Sequence, residues 1–541
     1  MKNWWFLIMI MTSAIFAEGI FDQGRLKPFD SFARDVLYHW NGKSSFKKNT
    51  ASEVVLKVIQ EPANTEDWEL FKINRADAAE LLHLDSKKRY HSYLELKQSL
   101  FLLEQYYTRE DSHPISLELK RLFEGVRYYE LLSHALDYKR PIIELTSDSL
   151  KAALALDLKT NLFSPKHLLE KISPLDTALL SDEAKWWRDS LLFQTYLGVQ
   201  TSPLRIYPGI DNATPVSAWH YLWRGQKIPD FSFPAPEKNV YLRAEIEYHR
   251  WNLPRAALFI FGLAIIIGLI NHVFLKRTLG RIQCVLYASG GLLLAATLGL
   301  RSFIMHAPPF GSLYEVTLLV LVFISWFLVF LYLKKKTGSG ILPSGILIFI
   351  LLFFAQNALL QGDSFKVLPP LLNSSFWLTT HVFTIALGYS GMILSGLWAH
   401  VCMVKPSKEN KQLLYGILVF GVAFTGVGIL LGGVWADLAW GRFWGWDPKE
   451  CGALFVVIWV MIALHARAGK FLTESGFVFF SAWNMIVIAL CWFGINILGI
   501  GLHSYGSQNG IALGLLIFIL GDALLISFLA WNQRRQSSKS S

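Results

Sequence analysis

An aromatic and charged stretch lies between two long apolar runs and reads Trp440-Gly441-Arg442-Phe443-Trp444-Gly445-Trp446-Asp447-Pro448-Lys449-Glu450. It combines three Trp and one Phe with two cations and two carboxylates. Leaving this mixture in a bilayer core is costly, so we expect it to lie at a membrane surface. An interfacial aromatic belt has this composition, and so does a site for a flat apolar ligand with charged edges. Porphyrin is such a ligand, because aromatic faces can cover the macrocycle while Arg442 or Lys449 meets its propionates.

The composition indicates a membrane protein with a soluble part. Of the 541 residues, 53% are hydrophobic, which is too apolar for an ordinary soluble protein. Apolar runs dominate residues 251–541, and the formal net charge of +10 concentrates between them. That distribution predicts membrane orientation and argues against nucleic-acid binding. The four cysteines all lie in the apolar half without a Cys-x-x-Cys pair, so we expect no zinc site or redox motif.

The first 250 residues divide into a leader and a charged domain. Residues 1–17 have a positive start, an apolar run below the spanning length of about 20 residues and a small residue before the polar chain, which predicts a signal peptide. An uncleaved anchor is the alternative. Residues 18–250 are then predicted to form a mainly helical extracytoplasmic domain, to which no motif assigns a role. Helical spacing of apolar positions occurs at 76–107, 115–138, 148–172, 181–198 and 237–251.

The apolar half predicts an all-α fold, a polytopic membrane helix bundle of about nine spans. The basic clusters fall on every second connection or end, which makes those sides cytoplasmic by the positive-inside rule. The 440–450 stretch and the N-terminal domain are then both on the external side of the membrane. The predicted spans are 256–274, 285–303, 318–333, 345–360, 376–403, 413–434, 452–464, 477–498 and 511–531.

The order of residues in 440–450 resembles the tryptophan-rich WWD signature of the haem-handling protein superfamily, whose members move haem to the outer face of a membrane for cytochrome c maturation. Its ending, Asp447-Pro448-Lys449-Glu450, resembles the CcsA/ResC-type cytochrome c synthase subunit of the system II pathway. Trp435 and Trp440 precede it as in that family. One departure is Gly452, where the family commonly has Trp.

Two histidines are predicted at the level of this stretch. His381 lies at the outer end of the fifth predicted span and His503 lies in the last external loop, within residues 499–506. Haem iron takes axial imidazole, and two His complete a six-coordinate site. Interfacial histidines would have the same placement. In CcsA-type proteins the histidines flanking the signature are the external haem ligands, and the resemblance implies that role for His381 and His503.

A third histidine, His465, lies near the inner end of the seventh predicted span. An ionisable residue there either snorkels or is functional. The resemblance implies a transmembrane haem ligand, paired with a histidine from a ResB/CcsB-type partner subunit. His272 and His400 also fall near inner span ends, so a pairing within this chain remains open. Residues 1–250 lack the spans that a ResB-type subunit needs, which favours a separate membrane subunit.

The first external loop, residues 305–315, resembles another family string that includes a histidine and a Tyr-Glu ending. Here it carries His306 and Glu315. His306 is either a ligand or part of a structural lid over the haem face, and the lid is preferred. Glu315 either orients the loop or faces water.

The resemblance implies a function in cytochrome c maturation, as one subunit of a haem-lyase complex. Haem b would be held at the outer face, and the thiols of an apocytochrome c would add to its two vinyl groups. The chain would supply positioning, with no catalytic acid, base or nucleophile of its own. The alternatives are a haem exporter or chaperone without ligation activity, and an unrelated solute transporter. The cofactor-binding residues so predicted are His381, His503, His465, Trp440, Trp444, Trp446, Asp447, Arg442 and His306.

Overall fold

The structure is a computed structural model, and it divides into two compact units, residues 1–246 and 247–541. The predicted signal at 1–17 and the His503 loop lie outside the residues that it describes. Those residues are 19–22, 25–109, 113–135, 143–144, 151, 159, 162–163, 167–168, 205–206, 216–217, 240–273, 279–334, 340–360, 365, 374–498 and 511–540.

Unit 1 is built from short helices and two-stranded antiparallel ribbons. A hairpin of β1 (Gly19–Asp22) and β2 (Arg25–Pro28) leads into α1 (Phe29–Asn41), and α6 (Pro114–Ser133) packs against it. The buried Trp40 ring lies 5.6 Å from that of Tyr129 and its Nε1 donates to Gly125 O at 2.9 Å. Between these helices lie β3 (Ser45–Phe46), β4 (Asn49–Thr50), α2 (Ala51–Gln60), β5 (Phe71–Lys72), α3 (Ala76–Leu81), β6 (Tyr90–His91), α4 (Tyr93–Lys97) and α5 (Leu100–Tyr107).

Two helix predictions for unit 1 need correction. The 76–107 pattern forms three short helices, because His83 adopts a left-handed φ of 58° and Tyr90–His91 pairs with Phe71–Lys72 before Ser92 caps the next helix. Within the 148–172 pattern, Leu162–Phe163 forms a strand paired with Ile143–Glu144. The 115–138 prediction matches α6, and residues 181–198 lie outside the described part. The last strands are Arg205–Ile206 and Val216–Ser217, which pair with each other.

Within the described residues, nine helices are long and apolar enough to cross a membrane, which confirms the predicted all-α bundle. We number them span 1 to span 9 in chain order. Their bounds are Val240–Val273, Gly280–Met305, Leu313–Leu333, Ile341–Leu359, Ser375–Val404, Lys408–Trp440, Pro448–Ala468, Glu474–Gly494 and Ala512–Arg535. Span 1 combines helices Val240–Trp251 and Leu253–Val273, which meet at Asn252. Span 9 lies within helix Ile511–Ser540.

Span 5 is at the centre of the bundle and packs against spans 3, 6, 8 and 9. In spans 5 and 8, 72% of the residues in the apolar window are buried, against 11% in span 9. Two spans contain a π-helical segment, Ala355–Leu359 in span 4 and Leu490–Gly494 in span 8. Such segments shift the side chains that follow them and are frequent at functional sites. The helix Ile495–Leu498 continues span 8 beyond its π segment.

Candidate functional site

The Trp-rich loop, residues 440–450, connects spans 6 and 7 and is shaped by its two carboxylates. Asp447 caps span 7, with its Oδ1 accepting from Lys449 N at 2.9 Å. Glu450 Oε2 accepts from Asp447 N at 3.1 Å and from Gly445 N at 2.8 Å. Pro448 occupies the first helical position, where no backbone N–H is needed. This capping box satisfies the donors at the helix start, so both carboxylates hold the loop in place.

A cavity opens at the end of the bundle that carries this loop, which we call the Trp-rich end. It encloses about 1000 Å³, including the part open to solvent. Its walls come from spans 3, 5, 6, 7 and 8 and from the loop. The lining residues are Leu313, Val316, His381, Val382, Ile385, Tyr389, Ile429, Gly432, Gly433, Trp435, Trp440, Phe443, Trp444, Lys449, Glu450, Ala453, Cys491 and Trp492.

His381 of span 5 is oriented by span 6. Its Nδ1 lies 2.9 Å from the carbonyl oxygen of Gly428. Since a carbonyl only accepts, Nδ1 is the donor in this contact, and in a neutral ring the lone pair is then on Nε2. The Trp435 ring, buried on span 6, lies 5.9 Å from the imidazole. A hydrogen-bonded imidazole with its other nitrogen basic is the arrangement that proteins use for metal-ligating histidines.

Two adjacent glycines of span 6, Gly432 and Gly433, leave room for two rings that line the cavity. A Cβ atom on Gly432 would lie 2.6 Å from His381 Cε1, and one on Gly433 would lie 2.5 Å from Phe443 Cζ. Either distance is too short for a real contact. A larger residue at position 432 or 433 would therefore occupy the space in which the imidazole of His381 and the phenyl ring of Phe443 lie.

The far wall comes from the π segment of span 8. Trp492 is buried there and packs edge-on against Tyr389 of span 5, with ring centroids 5.6 Å apart. The sequence alone does not single out Tyr389 or Trp492, because both lie inside uniformly apolar runs. The pair of aromatic residues at 492–493 is the signal that could have pointed to this wall.

Gly452, the departure from the family pattern, has a steric reason in this chain. A Cβ at this position would lie 2.2 Å from Ile495 Cδ1 and 3.1 Å from Cys491 O. Span 7 thus approaches the π segment of span 8 too closely for a Trp at position 452. Trp492 supplies an aromatic wall to the cavity from the neighbouring span.

Of the sequence-predicted site residues, the cavity brings together His381, Trp440 and Trp444, with Lys449 beside them. Trp446 is 74% exposed and touches Trp444 edge-on at 6.1 Å, with a left-handed φ of 56°. Arg442 is exposed and Asp447 is buried under the loop, and neither lines the cavity. The predicted partner ligand, His503, lies outside the described residues.

His306 and Glu315 lie at the ends of spans 2 and 3. His306 is exposed and caps span 2 in a left-handed conformation, with φ of 50°. Glu315 is buried, pairs with Arg301 of span 2 and accepts from Ser312 N at 2.8 Å. The guanidinium of Arg301 also lies 5.8 Å from the Phe365 ring centre. Glu315 therefore orients the loop and does not face water, and it holds Leu313 and Val316 against the cavity.

The remaining histidines lie away from this cavity. His465 is exposed near the opposite end of span 7, with Nδ1 2.8 Å from Met461 O, and His272 is exposed at the end of span 1. His400 is buried, with Nδ1 2.8 Å from Gly396 O and Nε2 3.2 Å from Asp522 Oδ1. Nδ1 is thus hydrogen-bonded within its own helix, and Nε2 lies beside a buried carboxylate without making a hydrogen bond to it.

Comparison with known proteins identifies the membrane half. Residues 310–503 match the family model described as cytochrome C assembly protein. The chain is 32% identical over 294 residues to the cytochrome c biogenesis protein CcsA of Guillardia theta, covering 46% of this chain and 94% of that protein. It is 33% identical over 224 residues to CcsA of Chlamydomonas reinhardtii, covering 37% of this chain and 62% of that one.

A longer similarity includes the N-terminal half. The chain is 26% identical over 519 residues to protein NrfI of Wolinella succinogenes, which covers 90% of this chain and 53% of that protein. The chain thus spans about half the length of this relative. These matches, together with nine spans and a Trp-rich loop over an aromatic cavity, show that the chain belongs to the CcsA-type cytochrome c biogenesis proteins, multi-pass membrane proteins with a role in cytochrome c assembly.

Proposed function

We propose that this chain binds haem b in the cavity at the Trp-rich end and presents it to an apocytochrome c for thioether attachment. The observation that carries the proposal is His381, whose Nδ1 is hydrogen-bonded to Gly428 O while the ring lines an aromatic cavity. An imidazole fixed in this tautomer offers iron the lone pair of Nε2.

The chemistry of the lining fits haem. Trp440, Trp444 and Trp435 offer flat apolar faces for a macrocycle, and the glycine wall of span 6 leaves room for a flat ligand beside His381. Lys449 is the lining cation, so it is the better placed of the two predicted propionate partners. Arg442, the other one, is exposed at the loop surface.

The second iron ligand in this proposal is His503, in the segment between spans 8 and 9. Span 8 delivers Trp492 to the cavity, and residue 503 follows the end of helix Ile495–Leu498 by five positions. Trp446 and His306 are proposed to contact haem or apocytochrome from the rim, since both are exposed.

We place the Trp-rich end on the outer, periplasmic side of the cell inner membrane. Basic residues cluster at the opposite end of the bundle, at Lys405, Lys408, Lys411, Arg467 and Lys470. Cytoplasmic loops of membrane proteins carry such an excess of Lys and Arg. Residues 18–250 are then extracytoplasmic, and residues 251–541 form the haem-handling membrane domain.

His465 is proposed as the ligand of a second, transmembrane haem position near the cytoplasmic side, completed by a ResB/CcsB-type subunit. Its exposure on span 7 supports a partner at this surface, because an imidazole facing lipid would be costly. Haem would pass from this level to the outer cavity. The engagement of His400 with Gly396 and Asp522 weighs against a pairing of His465 with His400 inside the chain.

In the attachment step, each cysteine S–H of the apocytochrome adds across one haem vinyl C=C, so that sulfur bonds to one carbon and the proton ends on the other. This chain would fix the orientation of the haem and exclude water, which is how bound geometry lowers a barrier. Asp447 and Glu450 shape the loop through backbone hydrogen bonds, and no proton transfer is assigned to them.

The test is an absorption spectrum of the detergent-purified chain, co-expressed with a ResB/CcsB-type partner, as wild type and as His381→Ala, His503→Ala and the double variant. We expect low-spin bis-imidazole bands in the wild type and their loss in the double variant. A matched control is His83→Ala, which changes an exposed-loop histidine of unit 1 with a left-handed φ of 58°. Purified wild type without haem, or a spectrum unchanged in the double variant, would refute the ligand assignment.

A second measurement separates synthesis from export. Co-expression with an apocytochrome c should give haem covalently attached to that cytochrome in the wild type and none in the double variant. Normal haem binding without any covalent product would favour a haem exporter or chaperone. An unrelated solute transporter would bind no haem in either experiment.

A further inference from the structure

We infer that a second cavity of the membrane domain binds an acyl chain of a membrane phospholipid, which packs against Trp492. Among the described lining residues, Trp492 is the one that this cavity shares with the cavity at the Trp-rich end. The inference concerns lipid and goes beyond the proposed function, so its test requires no haem.

The second cavity lies among spans 4, 5, 8 and 9 and has an apolar lining. Span 4 contributes Leu347 and Ile350, span 5 contributes Ile393, span 8 contributes Ile488, and span 9 contributes Leu515. None of the described residues that line it carries a charge. Water needs two or more polar partners, and a charged ligand needs more, so neither suits this space. Its lining fits a hydrocarbon ligand.

The cavity lies within the membrane, in the half of the bundle nearer the Trp-rich end. Span 8 lines it with residues 485–493, close to the end of that span, and span 9 lines it with residues 514–518, close to its start. Because span 7 starts at the Trp-rich loop, span 8 ends on the same side of the membrane and span 9 starts there. The surroundings of the protein at this depth are the hydrocarbon chains of lipid.

The cavity opens sideways, between spans 4 and 9. Both spans line it, but they are not a closely packed pair in the described chain. Ile350 lines the cavity and is 56% exposed, so the cavity is continuous with the outer surface of the bundle. Near one end the two spans come close, because a Cβ on Gly514 would lie 3.5 Å from Phe354 Cε2. A single acyl chain can enter such a slot, whereas a helix of another subunit is about 10–12 Å across.

Both π segments of the described chain border this cavity. Phe354 immediately precedes the π segment of span 4, and Trp492 and Phe493 belong to the π segment of span 8. The rings of Phe354 and Phe493 meet edge-on, with centroids 5.7 Å apart. Segments of this kind shift side chains out of regular helical register and are frequent at functional sites. Their position at one cavity supports a binding site over a defect in packing.

An acyl chain in this cavity would complete the packing around Trp492. Groups that line an empty space lack partner atoms on one side and lose dispersion contacts. Within a bilayer, van der Waals packing is a main source of attraction between apolar groups, so a chain that fits restores those contacts. The Trp492 ring packs edge-on against Tyr389 at 5.6 Å, and both residues line the cavity at the Trp-rich end. The lipid chain would therefore support that wall from the membrane.

The experiment is photo-crosslinking of the full-length protein in lipid nanodiscs. The probe is a phosphatidylethanolamine with a diazirine in the middle of one acyl chain, and tandem mass spectrometry assigns the labelled residues. Ile488 and Leu515 report on the cavity, because both are buried and line it. Leu524, which is 71% exposed on span 9, reports on the surrounding lipid.

Gly514→Leu should block the opening. A Cβ at this position lies at an ordinary contact distance from Phe354, so the backbone accepts a side chain, and the longer Leu then fills the slot between spans 4 and 9. Gly521→Leu is the matched control, because it makes the same change on the same helix where nothing lies within 4 Å of a Cβ.

We expect Ile488 and Leu515 to be labelled in the wild type and in Gly521→Leu. Labelling of both should be about tenfold lower in Gly514→Leu, because overfilling a packed space costs about that much in affinity. Labelling of Leu524 should be unchanged in all three proteins, and labelling of the cavity should persist when a ResB/CcsB-type partner is present.

Three results would overturn the inference. The first is a wild type in which Leu524 is labelled but Ile488 and Leu515 are not, and the second is equal labelling of the cavity in Gly514→Leu and Gly521→Leu. The third is loss of the cavity labelling on addition of the partner, which would make a protein segment the occupant. Each result concerns lipid alone, whereas the haem spectrum tests the proposed function separately.

Discussion

The Nδ1 atom of His381 lies 2.9 Å from the carbonyl oxygen of Gly428, so a backbone group of span 6 sets the tautomer of a histidine on span 5. Residue 428 has no side chain, and a Cβ there would come within 2.6 Å of Ile385 Cγ1. The close contact between the two spans is thus what brings the carbonyl within reach. The same close packing of spans 5 and 6 therefore also orients the His381 imidazole.

Gly432→Ala should disturb this histidine. The added Cβ would lie 2.6 Å from His381 Cε1, so the ring must move and its hydrogen bond to Gly428 must lengthen. We expect about 10–100-fold weaker haem retention, the effect typical of lost ligand orientation. Haem titration of the purified apoprotein measures it. Gly426→Ala is the control on the same span, since nothing lies within 4 Å of a Cβ there, and equal losses in both variants would contradict the prediction.

Lys449→Gln should weaken haem binding more than Arg442→Gln. Lys449 lines the cavity, whereas Arg442 is exposed. A hydrogen bond to a charged group contributes about 1.5–3 kcal/mol, or about 10–100-fold in dissociation constant. The comparison requires haem and a haem analogue with esterified propionates. Lys449→Gln should weaken the binding of haem and hardly change the binding of the ester. A larger loss of haem affinity from Arg442→Gln would make Arg442, and not Lys449, the propionate partner.

Removing Arg301 alone should destabilise the membrane domain more than removing both members of the buried Arg301–Glu315 pair. Arg301→Leu leaves the buried Glu315 without its cation, which costs about 3–5 kcal/mol. Adding Glu315→Leu should recover most of that loss in the free energy of unfolding. Titration of the solubilised protein with a denaturing detergent, followed by tryptophan fluorescence, measures both. If the double variant were less stable than Arg301→Leu, the unpaired charge would not be the cause.

The stability of unit 1 should fall in acid through Glu118 of α6. Burial raises the pKa of this carboxyl, but hydrogen bonds and charge from Arg121 and the bonds from Asn74 outweigh it and hold the pKa below the ordinary 4.5. A depressed pKa means that the stabilisation is complete above pH 4.5 and is lost as the pH falls through the folded-state value.

Amide exchange of α6, corrected for the intrinsic rate, tests this pH dependence. Glu118→Gln should lower the free energy of amide protection in α6 at pH 7 by about 1–3 kcal/mol. It should also make that free energy less dependent on pH in the acid range. Glu124→Gln, an exposed position on the same helix, should leave both unchanged. An acid profile that is the same in wild type and Glu118→Gln would exclude this carboxyl as the cause.

Hydropathy was sufficient to predict the nine spans but not where they end. The sixth predicted span, 413–434, is observed as Lys408–Trp440, and the seventh, 452–464, as Pro448–Ala468. Polar residues extend these helices beyond their apolar runs, and the capping box of Asp447 and Glu450 starts span 7 at a fixed residue. In unit 1, the 76–107 pattern is interrupted because His83 and a strand pair override helical spacing.

What the sequence by itself determined is the membrane fold and the Trp-rich loop with its capping residues, since each depends on composition or on neighbours within four residues. His381 became a candidate ligand through the family resemblance. Only the tertiary structure decided that Tyr389 and Trp492 line the cavity with His381, and that Glu315 pairs with Arg301 and His400 with Asp522. These residues lie in apolar runs or far apart in the chain. Their meeting depends on helix packing and on a π segment, and no local pattern specifies which faces of two helices touch.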